Sequence, residues 1–203
     1  MIGIVDYGLG NISAFANIFH KVNAPFTLAK TAAELRVADR IVLPGVGSFD
    51  YAMKLLDDSG MRDALDAKVL EEKTPVIGVC VGMQMMATVS EEGSRPGLGW
   101  IDGEVKKFIE RPEHAVRIPH MGWNNAAPVR EHPLLDGLDD ESRFYFLHSY
   151  YFACRRTDDV LATTEYDGRF TCAVAHENIF GVQFHPEKSH RWGSRLLENF
   201  ARL

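Results

Sequence analysis

The chain has 203 residues, 22 Lys and Arg against 28 Asp and Glu, a formal charge of −6, and 46% hydrophobic residues. That acidic balance argues against nucleic acid or an anionic membrane as the main partner, and no apolar run approaches the roughly 18 residues that cross a bilayer. One domain over residues 1–203 is expected, burying about 70% of its unfolded surface without disulfide or metal staples. Three separated cysteines, Cys80, Cys154 and Cys172, and a start with no basic leader fit a cytoplasmic protein.

Ile2–Asp6 reads as a buried strand stopped by Gly8-Leu9-Gly10. Ile12, Phe15, Ile18, Phe19 and Val22 then recur at helical spacing behind Asn11, an N-cap residue type. Phe26–Ala29 and Arg40–Leu43 are further strands, the second stopped by Pro44-Gly45-Val46-Gly47. Met61, Ala64, Leu65, Val69 and Leu70 mark an amphipathic helix, Pro75–Val79 a strand, and Met83–Val89 another helix. Such alternation predicts a parallel sheet covered by helices on both faces.

The second half changes character. Glu91–Gly99 is a Gly, Ser and Pro-rich loop, followed by strands near Gly103–Phe108, Arg143–Leu147, Val160–Glu165, Phe170–Ala175 and Ile179–Phe184. Asp167-Gly168 signals a hairpin and Glu177-Asn178 a second turn. Trp192, Leu196, Leu197 and Phe200 share one face of a closing helix, and the sum is a mixed sheet in an α/β domain.

Chemistry enters at Gly78-Val79-Cys80-Val81-Gly82, between an apolar strand and a helix. This is a nucleophile elbow with cysteine in place of serine. Flanking glycines give the sharp turn room, and a helix N-terminus favours the thiolate that attacks. The Val81 N–H would face the oxyanion. Cys154 and Cys172, in strand-like runs, read as small core residues.

The matching segment is Gln183-Phe184-His185-Pro186-Glu187-Lys188-Ser189. His185 and Glu187 stand two apart around a proline that holds the backbone extended, so both project to one side. His185 would take the Cys80 proton, and Glu187 would fix its tautomer and stabilise the imidazolium. No further His or Cys stands at ligand spacing, so no metal site is expected. Pro44-Gly45-Val46-Gly47 could supply amides to the oxyanion, or could be a plain strand-to-helix turn. Asp6-Tyr7-Gly8-Leu9-Gly10-Asn11 does not cradle phosphate, because Ser13 stands where the third glycine of a dinucleotide fingerprint belongs.

Together these motifs resemble the class I, triad-type glutamine amidotransferases, and within them the glutaminase subunits of imidazole glycerol phosphate synthases. Asp6-Tyr7-Gly8-Leu9-Gly10-Asn11-Ile12, Leu43-Pro44-Gly45-Val46-Gly47-Ser48-Phe49, Gln183-Phe184-His185-Pro186-Glu187-Lys188-Ser189 and Pro119-His120-Met121-Gly122-Trp123-Asn124 carry the narrower likeness. Without it, the last of these would read as a tight turn whose Trp packs in the core. The resemblance implies a flavodoxin-like α/β/α sandwich with a mixed, largely parallel sheet. It implies hydrolysis of L-glutamine to glutamate and ammonia through a γ-glutamyl thioester on Cys80, without cofactor or metal. By position, Val46, Gly47 and Val81 would form the oxyanion hole, and Gly45, Gly47, Gln84, Ser149 and Tyr150 would hold substrate.

The partner implied is a (β/α)8 cyclase subunit that receives the ammonia. Asn11, His120, Met121, Gly122, Trp123, Asn124, Tyr145 and Lys188 would lie on or near the docking face. An alternative is a duplicate subunit feeding another barrel, for instance in amidino-sugar synthesis; a lone cysteine peptidase of the same fold is a third reading. The isolated subunit is expected to be nearly silent, with Pro44–Gly47 reorienting an amide when the cyclase is liganded. Val81 stands where many relatives have Leu, and His190-Arg191-Trp192 is an unusual sequel to the Lys-Ser pair.

Overall fold

The computed structural model describes residues 1–109 and 117–203. β1 (Ile2–Val5) leads through α1 (Ile12–Lys21), β2 (Phe26–Ala29) and α2 (Ala32–Leu35) to β3 (Arg40–Gly45). α3 (Phe49–Asp58) and α4 (Arg62–Asp66) follow, the latter continued by a π-helical turn, and then β4 (Val76–Cys80) runs into α5 (Val81–Gln84). Next come β5 (Val89–Ser90), β6 (Gly103–Lys107), β7 (His120–Asn125), β8 (Ala127–Pro128) and β9 (Arg143–His148). β10 (Tyr150–Cys154), β11 (Val160–Glu165), β12 (Arg169–His176), β13 (Ile179–Val182) and α6 (His190–Arg202) complete the described elements.

The main sheet runs β2-β1-β3-β4-β13 with every neighbour parallel, the flavodoxin-like order. Outward from β13 the pairing with β12, β10 and β6 is antiparallel, which makes the sheet mixed. β1, β4 and β13 are buried at every residue, as unbroken apolar runs must be when helices cover both faces. α1 packs on α6, and α2 on α4.

Local chemistry explains most boundaries. Tyr166, Asp167 and Gly168 form the β11–β12 turn, with Asp167 at φ 55° and Gly168 at φ 114° in the left-handed region that tight hairpin turns require. β3 passes the proline expected to stop it: β1 pairs only as far as Val42, so Pro44 has no ladder partner to deprive on that side, and it pairs with Val79 on the other.

Two elements depart from expectation. The helix expected over residues 83–89 is only Val81–Gln84, because the returning loop takes its carbonyls: Leu98 donates to Met85, Ile101 to Met86 and Gly99 to Ala87. The Pro-His-Met-Gly-Trp-Asn segment is a strand, not a tight turn, and pairs with β9 in a separate two-stranded ribbon.

Candidate active site

Topology brings the two halves of the site together. β4 and β13 are parallel neighbours in register Val79↔Val182, so the residues after each strand emerge side by side at one edge of the sheet. Cys80 sits there at φ 55°, ψ −112°, a strained conformation that lifts its side chain off the strand. A Cβ on Gly82 would lie 2.0 Å from the Leu43 carbonyl oxygen, and one on Gly78 2.6 Å from that of Gly82. The glycines therefore let the elbow lie flat on β3. Gly45, expected among the substrate residues, does the same work: it pairs with Cys80, a Cβ there would sit 2.3 Å from the Gly82 nitrogen, and it does not line the cavity.

His185 donates its backbone N–H to the Tyr145 carbonyl at 2.8 Å. Its Nδ1 lies 2.9 Å from Glu187 Oε1, with both side chains almost fully buried. The two meet because Pro186–Lys188 forms a 3-10 turn, not through the extended backbone expected around Pro186. With Nδ1 held by the carboxylate, Nε2 is the nitrogen left for the hydrogen bond with Cys80. Burial penalises the imidazolium, but the hydrogen bonds with Cys80 and Glu187 outweigh it and raise the His185 pKa. The arrangement can pass the thiol proton to the imidazole.

A cavity of about 460 Å³ opens beside the sulfur. Val46, Gly47, Val81, Gln84, Ser149, Tyr150, His185 and Lys188, all expected at the site or its docking face, line it together with Cys80. Gly47 has φ +85°, a left-handed conformation that glycine adopts without strain. The Val81 N–H opens α5, where helical amides have no partner within the helix. Gln84 Nε2 donates to the Tyr150 carbonyl at 3.1 Å and to Gln183 Oε1 at 3.0 Å, leaving its own carbonyl for a ligand.

Sequence reading missed Glu92, His148 and Gln183. Glu92 lines the cavity with a carboxyl whose pKa burial raises, while Oε2 accepts from the Phe49 N–H at 2.9 Å. It lies in a loop with no motif. Gln183 lies within a quoted motif, and its Nε2 points at Cys80 Sγ from 3.7 Å. Burial holds the His148 imidazole down to about 3 and that of His120 to about 4. Among the described residues no group of three His, Cys, Asp or Glu side chains could hold a metal ion, and no helix is long and apolar enough to cross a membrane.

The expected docking residues divide. β7 and β9 pair Met121 with Leu147 and Trp123 with Tyr145, and Met121 (64% exposed), Trp123 (45%) and Leu147 (38%) form an apolar surface that reaches the cavity through Leu147. Lys188 lies 5.7 Å over the Tyr145 ring, and His190 stacks on Trp123 at 5.2 Å. Asn11 is exposed ahead of α1, and Gly122 is half-buried on the ribbon. Asn124 is tied back, donating to the Glu165 carbonyl at 2.9 Å. His120 is not on this surface: it is 3% exposed and stacked on Tyr166 and Phe146.

The family model for glutamine amidotransferase class-I matches residues 4–203. The chain belongs to the class-I glutamine amidotransferase family. Among relatives of this amidotransferase, imidazole glycerol phosphate synthase subunit HisH of Bdellovibrio bacteriovorus is 52% identical over 204 residues, covering all of both chains. HisH of Leptospira interrogans matches at the same identity and coverage, and HisH 2 of Pseudomonas aeruginosa at 46% over the full length of both. A crystal structure of a glutamine amidotransferase superposes with a TM-score of 0.74 at 17% identity, covering 100% of this chain and 99% of that one. One from Thermotoga maritima gives 0.63 at 19%, covering 92% and 75%. These two bear on the fold alone.

Proposed function

We infer that this chain is the glutaminase subunit of an imidazole glycerol phosphate synthase, a single amidotransferase domain that hydrolyses L-glutamine to glutamate and ammonia. The observation that carries the reading is the buried His185–Glu187 pair, 2.9 Å apart, which shares with Cys80 a cavity large enough for an amino acid. The sulfur attacks the side-chain carboxamide carbon, and the carbonyl electrons move onto oxygen, where N–H groups of Val81 and of the Val46–Gly47 segment receive them. His185 Nε2–H protonates the departing nitrogen, the C–N bond breaks, and a γ-glutamyl thioester remains. Water, deprotonated by the same imidazole, adds to the thioester and expels the thiolate with glutamate. Glu92 supplies the carboxylate for the substrate ammonium, and Gln84, Ser149 and Tyr150 hold the remainder.

Ammonia released into bulk water at neutral pH becomes ammonium and loses its nucleophilicity, so the product has to pass directly to its acceptor. The apolar face of Met121, Trp123 and Leu147 beside the cavity mouth suits a (β/α)8 cyclase partner that receives it. The subunit naming of the full-length relatives supports assembly with a partner subunit, and we read the assembly as working on histidine biosynthesis in the cytoplasm. Complementation tests this: a histidine auxotroph lacking its own glutaminase subunit grows when it carries this chain and not when it carries Cys80→Ala. Failure with soluble expression and an intact cyclase would overturn the pathway.

A further inference from the structure

Gln183 is fully buried beside the nucleophile, and the orientation of its amide is decided by its neighbours. The chain of decisions starts at the Tyr150 carbonyl oxygen, which can only accept. It receives His148 Nδ1–H at 2.8 Å, and it lies 3.1 Å from the Gln84 amide, which therefore turns Nε2 towards it. The same nitrogen is 3.0 Å from the Gln183 amide and so meets Oε1. That leaves Gln183 Nε2 on the sulfur side, 3.7 Å from Cys80 Sγ. His148 is fixed in turn: with Nδ1 donating, its Nε2 accepts from His120 Nδ1 at 3.0 Å. Flipping Gln84 would set buried acceptors face to face, and flipping Gln183 would set its amide N–H groups against those of Gln84.

We propose that Gln183, oriented through Gln84 by the Tyr150 carbonyl, donates its amide N–H to the Cys80 sulfur and holds it as a thiolate turned towards His185. A thiolate accepts hydrogen bonds far better than a thiol, so a buried donor favours loss of the proton, which passes to His185 Nε2. Once the thioester forms, the sulfur is neutral and the donor's hold weakens; when the thioester collapses, the same donor favours the departing thiolate. The consequence for turnover rests on the glutaminase reading, while the sulfur contact does not. The other titratable groups beside this sulfur are His185 and Tyr7, and Glu92, His148 and Lys188 line the same cavity.

The test is the pH dependence of Cys80 alkylation by iodoacetamide in the full-length protein, with peptide mapping to separate Cys154 and Cys172. Gln183→Met keeps the length and removes the donor; it is expected to move the alkylation midpoint up by about one pH unit, slowing Cys80 about tenfold below it. Gln183→Glu, isosteric and unable to donate as a carboxylate, is expected to move it at least as far and keeps the test decisive if the Met variant does not fold. An unmoved midpoint in a variant that melts with the parent would overturn the proposal, since loss of a packing role leaves the sulfur's titration where it was. Glutamate release in the presence of cyclase is read in parallel. A parent chain that alkylates as expected but releases no glutamate overturns the glutaminase reading and leaves the Gln183 contact standing.

Discussion

Glu187 reaches the reaction only through His185. Its carboxylate holds Nδ1 so that Nε2 meets the sulfur. Glu187→Gln keeps the shape but can donate to Nδ1 and so reverse the tautomer; turnover is expected to fall on the order of 10³-fold with KM little changed, read by steady-state glutamate production. Parent-like turnover would remove Glu187 from the mechanism. The triad is legible in sequence because its geometry is local: glycines two residues either side of Cys80 and a proline between His185 and Glu187 constrain the backbone within a few positions. Gln183 and Glu92 are not legible, since what places them is contact with residues far away in the chain. Glu92 depends on the Phe49 N–H, and Gln183 on Gln84, 99 positions before it.

At the level of the element, the elbow is a glycine-lined contact. Gly82→Ala would drive a methyl into the Leu43 carbonyl. A destabilisation of about 3 kcal/mol or more is expected, lowering Tm by about 6 °C or more in a thermal melt; an unchanged Tm would contradict the packing described. The β7–β9 ribbon carries its own signature. Unfolded imidazoles take up protons below about pH 6.5. Buried His120 and His148 do so only near 4 and 3. The folded state therefore binds fewer protons across that window, and stability falls as pH drops from about 6.5 towards 4. Imidazole NMR signals of both residues are expected to stay fixed from pH 8 to 5, and titration of either near its ordinary value would refute the buried pair. On the outer face, Trp123→Ala is expected to weaken cyclase binding about thirtyfold or more by calorimetry without lowering Tm. α3 went unread although Ser48 precedes Phe49, Ala52, Met53 and Leu56 at helical spacing, so its signal was present. The truncated α5 offered none, because the loop that ends it returns from residues 98–101.

Across the whole molecule, the decisive fact is that β13, near the end of the chain, inserts beside β4 and aligns the two strand ends. Alternating strands and helices foretold the parallel block, but not which late strand would join it, because pairing partners are a tertiary choice among runs of similar composition. The outward ribbon had the same ambiguity: its Trp could fill a core or face a partner, and only pairing with β9 turns it outwards. The most direct test of the account mixes the purified chain with the cyclase and its nucleotide ligand and measures glutamate formed from glutamine. Steady release that disappears with Cys80→Ala, while the complex still forms, is the expected result. Release that persists in Cys80→Ala, or no release from an intact, liganded complex, would contradict it.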